Sequence, residues 1–186
     1  MERRGDVGSM SRIVAMHGLE TMAKLTTRDQ RTSERYFSKD ICIKIIGGLL
    51  KQLAEKLDAV RSEAGSCLIR LLSQSDPSIP FIPQKDKLLM ALKSDNDSNQ
   101  GSNDINWSDA SVTFPMVMKV ADIDEYFEFV VSGLVISVGC LTQSVSKHAC
   151  AVLLQWVKDA TSSDIKRLGN GKNTCYDDTV DSLKFS

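Results

Sequence analysis

The stretch KDICIKIIGGLLKQLAEKLDAVRSEAGSCLIRLLS, Lys39 to Ser73, decides the fold class. In its first half Cys42, Ile45, Ile46, Leu49, Leu50 and Leu53 recur at three- and four-residue intervals, one stripe of an amphipathic helix, and Lys39, Lys44 and Lys51 stay off that stripe. In its second half Val60, Ala64, Cys67, Leu68, Leu71 and Leu72 repeat the arrangement over Asp58 to Ser73, with Asp58 expected to cap the first turn. Two helices are therefore expected to follow each other with almost no loop.

The same period continues outward. Ala149, Val152, Leu153, Trp156, Val157 and Ala160 predict a helix over Ser146 to Ala160 with Ser146 as cap. Toward the N-terminus, Val7, Met10, Val14, Gly18, Met22 and Leu25 suggest another helix from about Asp6 to Leu25, although Gly8 and Gly18 are poor helix formers. The segment Asp122 to Gln143 contains FEFVVSGLVISVG, whose β-branched residues would suit a buried strand, but its length favours a helix. Phe127, Val130, Leu134, Val138, Leu141 and Val145 continue one stripe over five turns, and Phe129, Ile136 and Cys140 make the opposite face apolar, so this helix should be covered on several sides. Between these elements lie the proline-rich DPSIPFIP, a helical patch near Lys85 to Leu92, and SDNDSNQGSND at 94–104, which has no apolar residue and is expected to be a mobile loop. The expectation is therefore one helical domain over 1–160 with a disordered insertion at about 94–106, followed by a poorly ordered tail at 161–186.

Composition narrows the function. The chain has 186 residues, a net charge of -1 and 42% hydrophobic residues, so no overall basic field exists to hold nucleic acid. Charge is uneven, and residues 76–128 carry 4 basic and 10 acidic side chains. The uncharged run from Phe129 to Ser146 is too polar after Leu141 to span a bilayer, so no membrane span is expected. Five widely spaced cysteines, with no C-x-x-C, point away from a disulfide framework or a zinc site and toward a reducing, cytoplasmic setting.

Motif-like strings fail on their mechanics. Asp95, Asp97 and Asn99 imitate a calcium loop, but Gln100 and Asn106 stand where glycine and a bidentate glutamate belong. In GNGKNT, Lys172 is followed by Asn173 rather than Ser or Thr, and Lys166 holds the place of the first glycine of a phosphate loop. The two histidines, His17 and His148, have no ligand partners at metal spacing and are assigned surface or packing roles. No nucleophile elbow, H-E-x-x-H or glycine-rich strand-to-helix loop is present, so neither catalysis nor a cofactor is expected. Arg35, Lys39, Lys44 and Lys51 form a candidate basic ridge for an acidic partner, weighed against an ordinary solvated helix face.

Asp58, Val60, Arg61, Ala64 and Leu68 match the D-x-V-R-x-x-A-x-x-x-L pattern of HEAT repeats, in which stacked helix pairs bury their stripes only against adjacent pairs. More specifically, RYFSKDICIKIIGGLLKQLAEKLDAVRSEAG (Arg35 to Gly65), ERRGDVGS (Glu2 to Ser9) and YFEFVVSGLVISVGCLTQSV (Tyr126 to Val145) resemble the C-terminal domain of the tubulin-folding cofactor D family, across roughly residues 2–157. The resemblance implies an all-α, HEAT/armadillo-like helical-pair solenoid fragment with a long polar loop. It also implies a module that binds β-tubulin and helps assemble the α/β-tubulin heterodimer after chaperonin release. Cofactors C and E and an Arf-like small GTPase would be further partners, with GTPase-activating regulation through them and association with microtubules. No covalent chemistry is implied. After GDVGS the family usually continues with a Trp-Val-Arg-Glu-Ala type of helix, whereas Met10, Ser11, Arg12, Ile13 and Val14 stand here, so the first helix is expected to pack differently or to be degraded. The alternative is a generic HEAT adaptor, or a truncated product without activity of its own.

Overall fold

The computed structural model describes residues 7–93 and 105–160. Among them lie eight helices and no strand: α1 (Val7–Thr27), α2 (Gln30–Tyr36), α3 (Lys39–Leu53), α4 (Asp58–Ser73), α5 (Lys85–Ala91), α6 (Ala110–Val120), α7 (Asp124–Val138) and α8 (Gln143–Asp159). The expected tail at 161–186 and most of the expected insertion, 94–104, fall outside the described residues. The insertion's last two positions, Ile105 and Asn106, already belong to the ordered approach to α6.

Short-range chemistry sets the helix starts. Ser38 accepts a hydrogen bond from the Ile41 N–H at 3.2 Å and so begins α3. Asp29 does the same for α2 through the Thr32 N–H at 3.0 Å, and Asp109 for α6 through the Ser111 N–H at 2.8 Å. Two expected caps are corrected. Asp58 is the first residue of α4 rather than its cap, and its carboxylate bonds only the adjacent Ala59 N–H; Leu57 occupies the cap position without a side-chain bond. Ser146 lies inside α8, and its hydroxyl donates instead to the Val138 carbonyl at 2.6 Å, joining α8 to the end of α7.

The helices form a layered stack in the order α1, α4, α3, α7, with α6 and α8 closing the far side. Helices α3 and α4 pack against each other across a short turn, and α7 lies along another side of α3. Ile46, Leu49, Leu50 and Leu53 of α3 are buried, as are Val60, Ala64, Cys67, Leu68, Leu71 and Leu72 of α4. Close approach of α3 and α7 depends on glycine: a Cβ on Gly133 would sit 2.8 Å from the Ala54 Cβ and 2.9 Å from the Lys51 carbonyl oxygen. Beside this contact the buried Ser137 hydroxyl donates to the Ala54 carbonyl at 2.5 Å, satisfying an acceptor at the end of α3.

The fifth turn expected for α7 does not form. The helix stops at Val138, Gly139 to Thr142 turn the chain, and Leu141 projects fully into solvent, while Val145 opens the buried face of α8. The stripe was continuous in sequence because two helices with the same period follow each other in phase. Helix α7 is covered by α3, α6 and α8, but Val135 and Ile136 remain exposed.

Helix α1 forms where the spacing suggested one. Met16, Glu20, Ala23 and Thr27 face α4 and are buried, whereas Met10, Val14, Met22 and Leu25 of the apolar stripe point outward. Spacing alone identifies an apolar stripe but not the side on which a neighbour stands. The expected helix that would run out at Leu25 instead continues to Thr27, and α2 and α6 were not anticipated. Helix α2 is short and polar, and α6 carries an internal proline, Pro115, at an exposed position.

Candidate functional site

Ionic contacts attach α1 to α4. Arg70 grips Glu20 through Nε to Oε1 at 2.9 Å and Nη2 to Oε2 at 2.8 Å, and also donates to Glu63 Oε1 at 2.9 Å. His17 Nε2 lies 2.8 Å from the same Glu63 oxygen, Lys24 pairs with Glu20 at 2.5 Å, and Arg12 reaches Glu55 at 2.9 Å. Arg70 chiefly, against the opposing effect of burial, holds the Glu20 carboxyl down to about 2. His17 thus has a structural partner on the next helix.

Arg61, the arginine of the D-x-V-R string, is a buried tie. Its Nη1 donates to the Glu55 and Lys56 carbonyls at 2.8 and 2.9 Å, its Nη2 to the Ser108 carbonyl, and its guanidinium lies 5.7 Å from the centroid of the Phe114 ring. It therefore links the turn between α3 and α4 to the start of α6. Around it opens a cleft of about 450 Å³ where the N-termini of α4, α6 and α8 meet, with Lys56, Asp58, Asp109 and His148 on its walls. Asp58 and Asp109 are occupied structurally. Asp109 is held as an anion, below the usual carboxylate range, by the Ser111 hydroxyl and N–H that it caps. Asp58 bonds the Ala59 N–H, and Arg61 spends its terminal donors on backbone carbonyls. Ser108, Thr142 and Ser144 also line the cleft, and the Ser108 hydroxyl donates to the Asn106 side-chain oxygen at 2.5 Å.

The basic ridge is dispersed. Arg35 lies on α2 with its guanidinium 5.5 Å from the Tyr36 ring centroid, and Lys39 pairs with Glu125 of α7 at 3.0 Å. That contact holds the Glu125 carboxyl below its ordinary range. Lys44 is exposed and Lys51 half-buried; along α3 these two lie about 20° apart, with Lys39 about 140° from Lys44. The four side chains do not make one stripe.

The cysteines Cys42 and Cys67 are buried, and burial pushes their thiols up to about 11 and about 12, so both are packing residues with little thiolate. Cys42 Sγ donates to the Pro80 carbonyl at 3.1 Å, and Tyr126 Oη to the Pro83 carbonyl at 3.2 Å; together they seat the proline-rich segment on α3 and α7. Cys140 and Cys150 are free and half-buried. Among the described residues no three His, Cys, Asp or Glu side chains gather to hold a metal ion. Within the same residues, no helix is long and apolar enough to cross a membrane.

What the stack offers is surface. Apart from the outward face of α1, apolar side chains are exposed on α8 at Leu154 and Val157 and on α7 at Val135 and Ile136. These helices stand at or near the two ends of the array, where an additional helix pair or a partner would continue the stacking. The sequence marked the residues as apolar but could not say that they lie outside.

No solved structure matches the chain. A family model does, over residues 43–175, from the second turn of α3 through α8 and beyond, and its description is "Tubulin folding cofactor D C terminal". That match covers most of the chain, includes the α3/α4 pair and α7, and agrees with the all-helical stack, so the protein belongs to the tubulin folding cofactor D C-terminal family.

Proposed function

We propose that this chain is a tubulin-folding chaperone module that binds β-tubulin and assists assembly of the α/β-tubulin heterodimer in the cytoplasm, working with cofactors C and E and an Arf-like small GTPase. Family membership is the observation that carries this reading. The stacked architecture is compatible with it. A subunit awaiting its partner exposes an apolar interface, and a helical array covers such a surface through many modest contacts that a competing subunit displaces. The module acts by binding, without covalent chemistry, and any GTPase activation is exerted through its partners.

Retention of purified β-tubulin by the immobilised full-length chain tests the proposal. Binding at micromolar concentration is expected, and no retention at that concentration removes it. Capture of other helical proteins with no tubulin or cofactor would favour the adaptor reading instead.

A further inference from the structure

Polar contacts hold α1 on α4 from end to end. Arg12 pairs with Glu55 at 2.9 Å, His17 with Glu63 at 2.8 Å and Glu20 with Arg70 at 2.8 Å, and Gln74 Nε2 donates to the Thr27 hydroxyl at 3.1 Å. The cations of these pairs stand partly in water, with the Arg12, His17 and Arg70 side chains 31%, 52% and 43% exposed. The buried apolar side chains of α1 are Met16 and Ala23, whereas α3 buries Cys42, Ile46, Leu49, Leu50 and Leu53. Beneath this seam Cys67 of α4 is fully buried, its Sγ 3.7 Å from the Met16 carbonyl oxygen, so α1 roofs the thiol. Past Thr27 the chain runs through the exposed Arg28 and Asp29 and the short polar α2 before it is anchored again by the buried Phe37 and the Ser38 cap of α3. The family match begins at residue 43, within α3, and leaves α1 outside it.

We propose that α1 is a detachable cover, latched on α4 by charge, that swings off about the segment 28–36 while α3, α4, α6, α7 and α8 stay packed, and so gates the face of α4 around Cys67. One methionine and one alanine give α1 little apolar hold, and the contacts that remain are of the kind water replaces most readily. Pairs between partly exposed charges attract weakly and are screened by salt, the screening length falling from about 10 Å at 0.1 M to about 3 Å at 1 M. Apolar packing of α3 against α4 and α7 is not screened in this way. Once α1 leaves, Glu63, Arg70 and Gln74 regain water in place of their lost partners, and the core beneath them keeps its other neighbours. An element with few buried apolar contacts opens at lower free energy than the whole domain unfolds. The cover therefore has an open state separate from the unfolded chain, and ionic strength sets its population.

Alkylation of the full chain with iodoacetamide at fixed pH tests this, with each cysteine followed by peptide mass mapping and the backbones of α3 and α4 followed by hydrogen exchange in the same samples. Cys67 is expected to react through an opening that leaves the α3 and α4 amides protected. Its rate should rise severalfold as sodium chloride is raised from about 0.1 M to about 1 M, with that protection unchanged. Arg70→Gln removes the two charge-assisted hydrogen bonds to Glu20 and the one to Glu63, so at 0.1 M salt it should speed Cys67 alkylation by about tenfold or more and flatten the salt response. Met90→Gln, on the exposed side of α5, should behave like the parent. A Cys67 that reacts only as fast as the α3 and α4 amides open overturns the proposal, because α1 then leaves only when the whole domain unfolds. A Cys67 rate indifferent to salt overturns it as well, because packing and not charge then holds the cover. If Arg70→Gln unfolds, lost protection of α3 reveals it, and the salt response of the parent chain decides alone.

Discussion

Gly133→Ala and Gly48→Ala are the same chemical change in neighbouring helices, and the structure assigns them opposite signs. At Gly133 the added carbon would stand 2.8 Å from the Ala54 Cβ, 2.9 Å from the Lys51 carbonyl oxygen and 3.3 Å from the Lys51 Cα. Ordinary carbon contacts are about 3.5–4.0 Å, so α7 has to move off α3 by the better part of an ångström. Two of those three atoms are backbone inside a helix and cannot swing aside. Overpacking of this kind costs about 1–3 kcal/mol. The displacement also stretches the Ser137 to Ala54 hydrogen bond, for about 1 kcal/mol more. Alanine's better helix propensity returns about 1 kcal/mol. The net is a loss of about 1–3 kcal/mol, which lowers Tm by roughly 3–10 °C for a domain of this size. At Gly48, inside α3, a Cβ meets nothing within 4 Å, so only the propensity gain remains and Tm should rise by roughly 2–4 °C. Thermal melts followed by circular dichroism, with urea titrations to check that the m-value is unchanged, measure both. A Gly133→Ala protein as stable as Gly48→Ala would refute the claim that α3 and α7 are in contact at this point.

Two further outcomes follow from the ties between helices. Arg61→Ala should destabilise by on the order of 3 kcal/mol or more, since it strips the Glu55, Lys56 and Ser108 carbonyls of their donor in a buried site; Arg61→Lys should not restore stability, because one ammonium cannot reach both sides. Urea unfolding reads both. For pH, the Glu20 carboxyl is lowered from its ordinary value of 4.5 to about 2 in the folded chain, so its contribution is complete above about pH 4.5 and is lost as pH falls toward 2. Unfolding free energy measured across that window should drop for the parent chain. It should drop less for Arg70→Ala, which removes the first cause of the shift; an unchanged slope would count against the bidentate pair.

By itself the sequence determined the fold class, because a three-to-four residue apolar period admits few alternatives: α4 runs over the expected Asp58–Ser73, and α3 (Lys39–Leu53) contains the stripe from Cys42 to Leu53. It also determined family membership, which rests on the match over residues 43–175. Periodicity is a property of one helix, however, and direction is a property of two. The stripe Met10, Val14, Met22 and Leu25 was as legible as the buried stripe of α3, yet it faces solvent, because Arg70 on α4 fixes α1 by its Glu20 side. The same distinction explains the basic residues, which neighbour one another on paper and disperse in space as Lys39 turns to Glu125. Arg61 stood in a recognisable pattern, but its three carbonyl partners include Ser108, 47 positions away, which comes within reach because the segment before α6 lies on α4, with Trp107 against Gly65.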